Sequence, residues 1–322
     1  MSYEIAVSII NFRTGDLTLQ CVQSVLGDME GINGHIVIVD NLSEDGSAEQ
    51  IADWIAGQPA DLPVTLVRSE TNSGFSGGHN QGFGAVEAEF YLVLNSDAVL
   101  RPGFLRRILT AARANPDHGF FAPQIAYDEG GIQDSCFRFP GPLSELVRSA
   151  RLGPVTRLFK RYEVSLGSDP DPDQIGWASF ACILLRGDMI RALGPMDEGY
   201  FLYFEDIEYC LRARRAGWRV FYVPEAEAVH FRGGSGPVKT LNSQRARLPR
   251  YYYSSRTRYF YQAHGMGGLI AANLLWYLGR GIKHASGLLG REIGRMPAAE
   301  GRDIWTNIRQ PLGPRYAPWE QI

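Results

Sequence analysis

Four short runs in the first third of the chain, IAVSIINF, HIVIVDN, PVTLVRS and FYLVLNSD, constrain the fold more than any other feature. Each is a continuous apolar, β-branched stretch, the pattern of strands buried on both faces of a parallel sheet. Amphipathic stretches separate them. DLTLQCVQSVLG reads as a helix closing at Gly27, placed as a C′ glycine. SAEQIADWIAG opens on Ser47 with Gln50 three residues on, a capping-box pattern. GFLRRILTAARANP follows Pro102 and stops before Pro116. Strand and helix in alternation predict a doubly wound, mostly parallel α/β sheet. Ligands of such sheets bind at the carboxyl ends of the strands, so the polar residues just after each run become the candidates.

Later segments are less regular. Residues 126–174 are rich in turn formers (DEGGIQD, RFPGPLSE, GSDPDPDQ) around a basic, helix-compatible stretch, LVRSARLGPVTRLFKRY, and read as a mobile insertion. Order returns in WASFACILLRGDMIRALGPMDEGYF. A helix over 206–216 follows, with Ile207, Cys210, Leu211 and Arg214 on one face and Gly217 as its stop; RVFYVP is the next strand. The division expected is a main domain over 1–262 and a helical extension over 263–322.

The totals exclude several classes. A net charge of -3 leaves no global footprint for nucleic acid. The four cysteines lack C-x-x-C spacing, which argues against a zinc site or a disulfide framework. MSYEIAVSIINF runs directly into a strand pattern without a basic and then apolar leader, so a cytoplasmic protein is expected. In the extension, MGGLIAANLLWYLGRGIKHASGLLGREIGR mixes apolar residues with Arg280, Lys283, His284, Arg291 and Arg295. Its apolar part falls short of the roughly 20 residues that span a bilayer. Two readings stand: a helix lying on an anionic membrane surface, or one packed on the main domain.

The candidate chemistry sits at strand ends. Asp40 ends HIVIV and can accept from a base N–H or a ribose hydroxyl, or close an Asx-turn in DNLSEDGS. NSGFSGGHNQGF offers Gly74, Gly77 and Gly78 for close backbone approach and Asn72 and Asn80 as amide donors. A helix is expected from about His79, itself taken as a surface residue. The glycine spacing matches neither a Walker A loop nor a dinucleotide fingerprint. Asn95, Ser96 and Asp97 end the fourth strand, where one carboxylate can help hold a hard divalent cation; His230 ends AVH and supplies an imidazole. Glu205, Asp206 and Glu208 follow the aromatic block FLYF. Acids favour a helix's first turn, yet capping does not account for three of them beside an aromatic wall. Aromatic faces suit sugar rings, and a carboxylate suits a hydroxyl to be deprotonated.

In this order and spacing, VSIINF, VIVDNLSEDGS, NSGFSGGHNQG, LVLNSD, GPMDEGYFLYFEDIEYCLRARRAGW and AVHF resemble the family 2 glycosyltransferases of type-A fold, in a bacterial rhamnosyltransferase-like branch, over residues 4–258. The resemblance implies that Asn11, Asp40, Asn72, Gly74, Gly77, Asn80, Asn95 and Asp97 line the nucleotide-sugar pocket. It makes Asp206 the catalytic base and puts a Mg²⁺ or Mn²⁺ ion on Asp97 and His230. Trp177, Asp197, Glu198 and Glu205 would touch sugar or acceptor, and Arg256 and Arg258 the diphosphate. Two departures stand out: the metal motif opens on an amide, Asn95, and Glu208 replaces an aspartate. The implied activity is inverting, metal-dependent hexosyl transfer in cell-surface polysaccharide synthesis. dTDP-L-rhamnose is the first expectation for the donor and a UDP-sugar the alternative. The acceptor would be a glycan or lipid-linked hydroxyl, and a homodimer is compatible with the pattern. A non-catalytic nucleotide-sugar or glycan-binding module is the reading from another class.

Overall fold

The computed structural model describes residues 2–231, 238–288 and 297–317; Arg291 and Arg295 lie outside the described residues. All four early runs are strands, and the stretches between them are helices. In order these are β1 (Tyr3–Asn11), α1 (Gly15–Asp28), β2 (Gly34–Asp40), α2 (Ser47–Ala56), β3 (Val64–Arg68), α3 (Gly74–Ala85) and β4 (Ala88–Asn95). A short β5 (Ala98–Leu100), α4 (Phe104–Ala114) and β6 (His118–Ala126) follow. The segment 126–174 holds β7 (Ile132–Gln133), β8 (Cys136–Phe137), α5 (Pro142–Ala150) and α6 (Gly153–Leu158). Then come β9 (Trp177–Ala178), β10 (Cys182–Arg186), α7 (Gly187–Leu193), α8 (Glu205–Arg215), β11 (Arg219–His230), α9 (Val238–Ser243), α10 (Arg250–Gly287) and α11 (Glu300–Asp303).

The main sheet runs β3-β2-β1-β4-β10-β6-β11-β5. It is mixed: β10 lies antiparallel to both β4 and β6, so β6 and its parallel neighbour β11 point the same way as β4. That double reversal puts the C-terminal ends of β1, β2, β4 and β11 at one edge. Register aligns Asn11 with Asp40 and Ile10 with Asn95, while the antiparallel β5 sets Ala98 opposite His230. One face of the sheet buries Val22 and Val25 of α1, Ile51 of α2 and Leu105 and Ile108 of α4; the other buries Phe83 of α3, Met189 of α7 and Tyr209 and Cys210 of α8.

Local differences from the sequence reading have local causes. α1 runs through Gly27 to Asp28 and closes on Met29. At α2 the cap is Gly46, at φ 86°, because Gln50 reaches across to Asp16 on α1 (2.6 Å) instead of back to Ser47. α3 begins at Gly74, a full turn before His79, and a helix there needs small residues. A Cβ at Gly78 would lie 2.6 Å from the Ile10 side chain, and one at Gly82 2.1 Å from Ser8 Oγ. Part of the glycine pattern therefore serves close packing of α3 on β1. In 126–174, α5 buries Leu146, Val147 and Ala150 and packs hard against α10, where a Cβ at Gly279 would stand 2.5 Å from the Leu146 carbonyl oxygen. α10 itself breaks at Gly265, whose φ is 68°.

Candidate active site

A cavity of about 460 Å³ opens at the strand edge. Its floor holds Asn95, the last residue of β4, with Ser96 after it, and His230, the last residue of β11. Asp97 is fully buried behind this floor, with its Oδ1 3.2 Å from His230 Nε2. Asn95 Nδ2 is 3.5 Å from the same ring nitrogen, and Gln133 fixes the segment by donating to the His230 carbonyl (2.9 Å). Two ligands at right angles on an octahedral cation with bonds of about 2.1 Å stand about 3 Å apart. The Asp97–His230 spacing fits such a pair. Among the described residues no three His, Cys, Asp or Glu side chains form a cation site, so oxygens of a bound ligand and water would complete the shell.

The aromatic block lines the same cavity through Phe201 and Tyr203. Tyr203 and Phe204 both adopt the left-handed backbone region, at φ 71° and 69°. Such conformations cost non-glycine residues about 1–3 kcal/mol each and persist where packing holds them. Here Tyr203 stacks on Tyr251 with the rings 7° from parallel, and Phe204 packs on Tyr252 and Tyr259. The distorted turn delivers Glu205 and Asp206 to the first turn of α8 and into the cavity. Trp177, held by Phe137 at 4.4 Å and by the Arg138 carbonyl, joins Phe180 and Phe201 in the lining.

The two acids here are poorly compensated. Glu205 is 5% exposed, and its Oε2 has no hydrogen-bond partner. Burial, and then the neighbouring Asp206 charge, push it well above the usual carboxylate range. Asp206 accepts from the Ile207 N–H (2.9 Å); burial lifts it to about 7 against those backbone bonds. Such perturbed acids in a cleft mark a functional site. Glu208 points away and pairs with Arg212 at 3.1 Å.

Elsewhere the expected residues are committed to the fold. Asn11 gives its amide protons to Asp40, Ser43 and Ser47 and takes bonds from Thr14 and Thr18. Asp40 also accepts from the Ser43 backbone and hydroxyl, so the Asx-turn reading describes it, and neither Asn11 nor Asp40 lines the cavity. The residue that does is Asn41, which binds Asn72, Ser73 and Gly74 and shapes their turn. Gly74 sits at φ 73°, where a Cβ would meet the Phe201 carbonyl oxygen at 2.2 Å. Gly77 packs on Ser73. Asn80 clamps Met196 and Glu198. His79, expected at the surface, is fully buried against Ser8 and lowered to about 3 by burial.

Arg258 forms a two-pronged pair with Asp197 at 2.9 and 3.0 Å. Burial alone would raise Asp197, but bonds from Arg258, Gln262 and Gly199 hold it below its ordinary value. Arg256, 2% exposed, binds Glu145 and Asn273. Both arginines thus tie α10 to the domain, away from the cavity; the late motif contributes Tyr251 to the lining instead. Asn41 was within reach of sequence reasoning, because strand alternation turns it to the side opposite Asp40.

This layout matches known proteins. The profile of glycosyl transferase family 2 covers residues 6–153, and that of glycosyl transferase family group 2 covers 173–285. The chain belongs to the family 2 glycosyltransferases. Among family members, an N-acetylglucosaminyl-diphospho-decaprenol L-rhamnosyltransferase of Mycobacterium tuberculosis is 29% identical over 63% of this chain; the match spans 64% of that relative, short of two thirds of its length. The rhamnosyltransferase WbbL of Escherichia coli is 32% identical over 44% of this chain and 52% of its own. In fold, the mannosyltransferase PcManGT from Pyrobaculum calidifontis, solved with GDP-Man and Mn²⁺, superposes with a TM-score of 0.57 at 14% identity, over 97% of this chain and 85% of that one.

Proposed function

We propose that this family 2 glycosyltransferase moves a hexose, with inversion, from a nucleoside diphosphate to a hydroxyl of a glycan or lipid-linked acceptor in surface polysaccharide synthesis. The observation that carries this reading is one cavity lined by Asn95, Ser96 and His230 together with Asp206. Asp206 takes the acceptor proton as the acceptor oxygen attacks the anomeric carbon. A carbon–oxygen bond forms on one face of the sugar while the bond to the diphosphate breaks on the other, and the electron pair leaves with the diphosphate. Trp177, Phe180 and Tyr203 give the ring apolar faces to rest on and keep water from the reacting carbon. Asp97 and His230 would hold a Mg²⁺ or Mn²⁺ ion, which offsets the leaving group's charge when bound; the Mn²⁺ in the mannosyltransferase complex agrees with this. The Asn41–Asn72–Gly74 turn is the donor-side wall.

dTDP-L-rhamnose is the donor we favour. Two relatives are named rhamnosyltransferases, and a 6-deoxy sugar presents a methyl group suited to an aromatic-lined cavity. The test is nucleotide release from a panel of dTDP- and UDP-sugars with and without Mn²⁺. Release from dTDP-L-rhamnose above all others, dependent on the metal, is expected. Release from a UDP-sugar alone would replace the donor. Binding without release from any donor would favour a non-catalytic module.

A further inference from the structure

Arg315 reaches back to two stretches of chain that border the cavity. Its Nη1 donates to the Ser73 carbonyl oxygen at 2.7 Å and to the Glu198 carbonyl oxygen at 3.0 Å. That nitrogen carries two protons, so it serves both acceptors at once. Hydrogen bonds from a charged donor are roughly twice as strong as neutral ones. Both acceptors are backbone oxygens, so the contact fixes where the two stretches of main chain lie, whatever their side chains do. Arg315 itself is not among the lining residues.

The two stretches carry different parts of the site. Ser73 stands between Asn72 and Gly74, which line the cavity, and Asn41 holds its N–H. Glu198 leads into Phe201 and Tyr203 of the lining and then to Glu205 and Asp206 at the start of α8. Turn and loop meet backbone to backbone. Gly74, at φ 73°, comes so near the Phe201 carbonyl oxygen that a Cβ would lie 2.2 Å from it, and the Phe75 N–H donates to the same oxygen at 2.8 Å. With no side chain at Gly74 to interlock, polar ties hold the junction: Phe75 to Phe201, Asn80 to Met196 and Glu198, and Arg315 to both sides. Phe75 and Asn80 belong to α3, next to the turn, whereas Arg315 comes from 242 residues further along the chain.

The residues beside Arg315 are anchored. Arg250 donates to the Tyr316 hydroxyl at 2.7 Å, with its guanidinium carbon 3.8 Å from the ring centre, and that hydroxyl donates to Asn307 at 3.1 Å. Tyr316 and Ala317 belong to the apolar cluster that holds Phe201, Tyr203 and Tyr251. The guanidinium is thus presented by a packed segment.

We propose that Arg315 is a positioning residue for glycosyl transfer. It staples the donor-side turn at Ser73 to the loop that carries the aromatic wall and Asp206, and so sets the separation between the sugar donor and the base. The kinetic role rests on the glycosyl-transfer reading above; the staple does not.

The test compares wild type with Arg315→Met, which keeps the apolar stem and loses the donors, and with Arg315→Lys, whose ammonium still donates to a carbonyl. Steady-state kinetics on the donor that wild type releases and amide hydrogen exchange are read together. Arg315→Met should lower kcat by about 10- to 100-fold, the cost of misplacing reactants by about an ångström, while donor KM changes far less. Arg315→Lys should recover most of the loss. In Arg315→Met the Phe75 amide should exchange about tenfold faster, with the amides of β1 and β4 unchanged. Wild-type kcat with wild-type exchange at Phe75 would overturn the proposal. So would faster exchange throughout, β1 and β4 included, with a lower melting temperature but wild-type kcat in still-folded protein, since Arg315 would then only prop up the fold. If Arg315→Met does not fold, Tyr316→Phe, which loosens the anchor, should move kcat and Phe75 exchange the same way by smaller factors, and no movement in either would count against the staple. Should wild type release nucleotide from no donor, the glycosyl-transfer reading falls and the kinetic role with it; faster Phe75 exchange would then support the staple alone, and unchanged exchange would remove that too.

Discussion

Two sets of carboxylates in this protein live under opposite conditions. Asp40 and Asp197 are wrapped in donors: Asn11 and Ser43 for the first, Arg258, Gln262 and the Gly199 N–H for the second. Glu205 and Asp206 face the cavity with backbone bonds or none, and burial pushes both upward. A carboxylate whose lone pairs are all engaged fixes the chain and does little chemistry. One that is desolvated and under-bonded costs stability and stands ready to take a proton. The strained Tyr203–Phe204 turn belongs to the same economy, because it holds the uncompensated pair where the fold alone would not leave it.

The largest expected effect comes from the under-bonded side of this contrast. Asp206→Asn should lower turnover by about 10²–10⁴ while leaving nucleotide-sugar affinity intact, as read by single-turnover kinetics and calorimetry. The same change should relieve a burden on the fold. A carboxyl raised to about 7 binds its proton more tightly folded than unfolded, so its contribution to stability is lost as pH rises toward that value. The variant should therefore melt at a higher temperature than wild type above about pH 7, with the gap closing in acid. Wild-type turnover in the variant would move the base elsewhere.

On the saturated side, substitution should cost stability and spare chemistry. Arg256→Ala leaves Glu145 buried with Arg148 as its remaining partner, and the loss should fall near the lower end of the about 3–5 kcal/mol typical of a broken buried pair. Chemical denaturation measures it. A collapse of donor binding in still-folded protein would return Arg256 to the diphosphate and break the contrast.

What the sequence disclosed follows the same division. The strands and the helix starting at the FED acids were legible because β-branched runs and helical spacing are local signals, and the family order of motifs then placed Asp206, Asn95 and His230 near one edge. Partnership is not local. Nothing in DNLSEDGS says that Asn11, from another strand, will saturate Asp40 and leave the cavity to Asn41. YYYSSRTRYF does not show that Asp197 and Glu145 will claim its arginines, so that a tyrosine lines the cavity. His79 reads as polar and is buried because the glycines around it let α3 sit directly on β1.

The most direct test of the central claim is the pH dependence of kcat/KM for the wild-type enzyme at saturating metal. The account predicts a rate that is low in acid and rises through an apparent pKa near 7 belonging to the Glu205–Asp206 pair, a step absent from Asp206→Asn. A wild-type rate that stays flat through that range would contradict it.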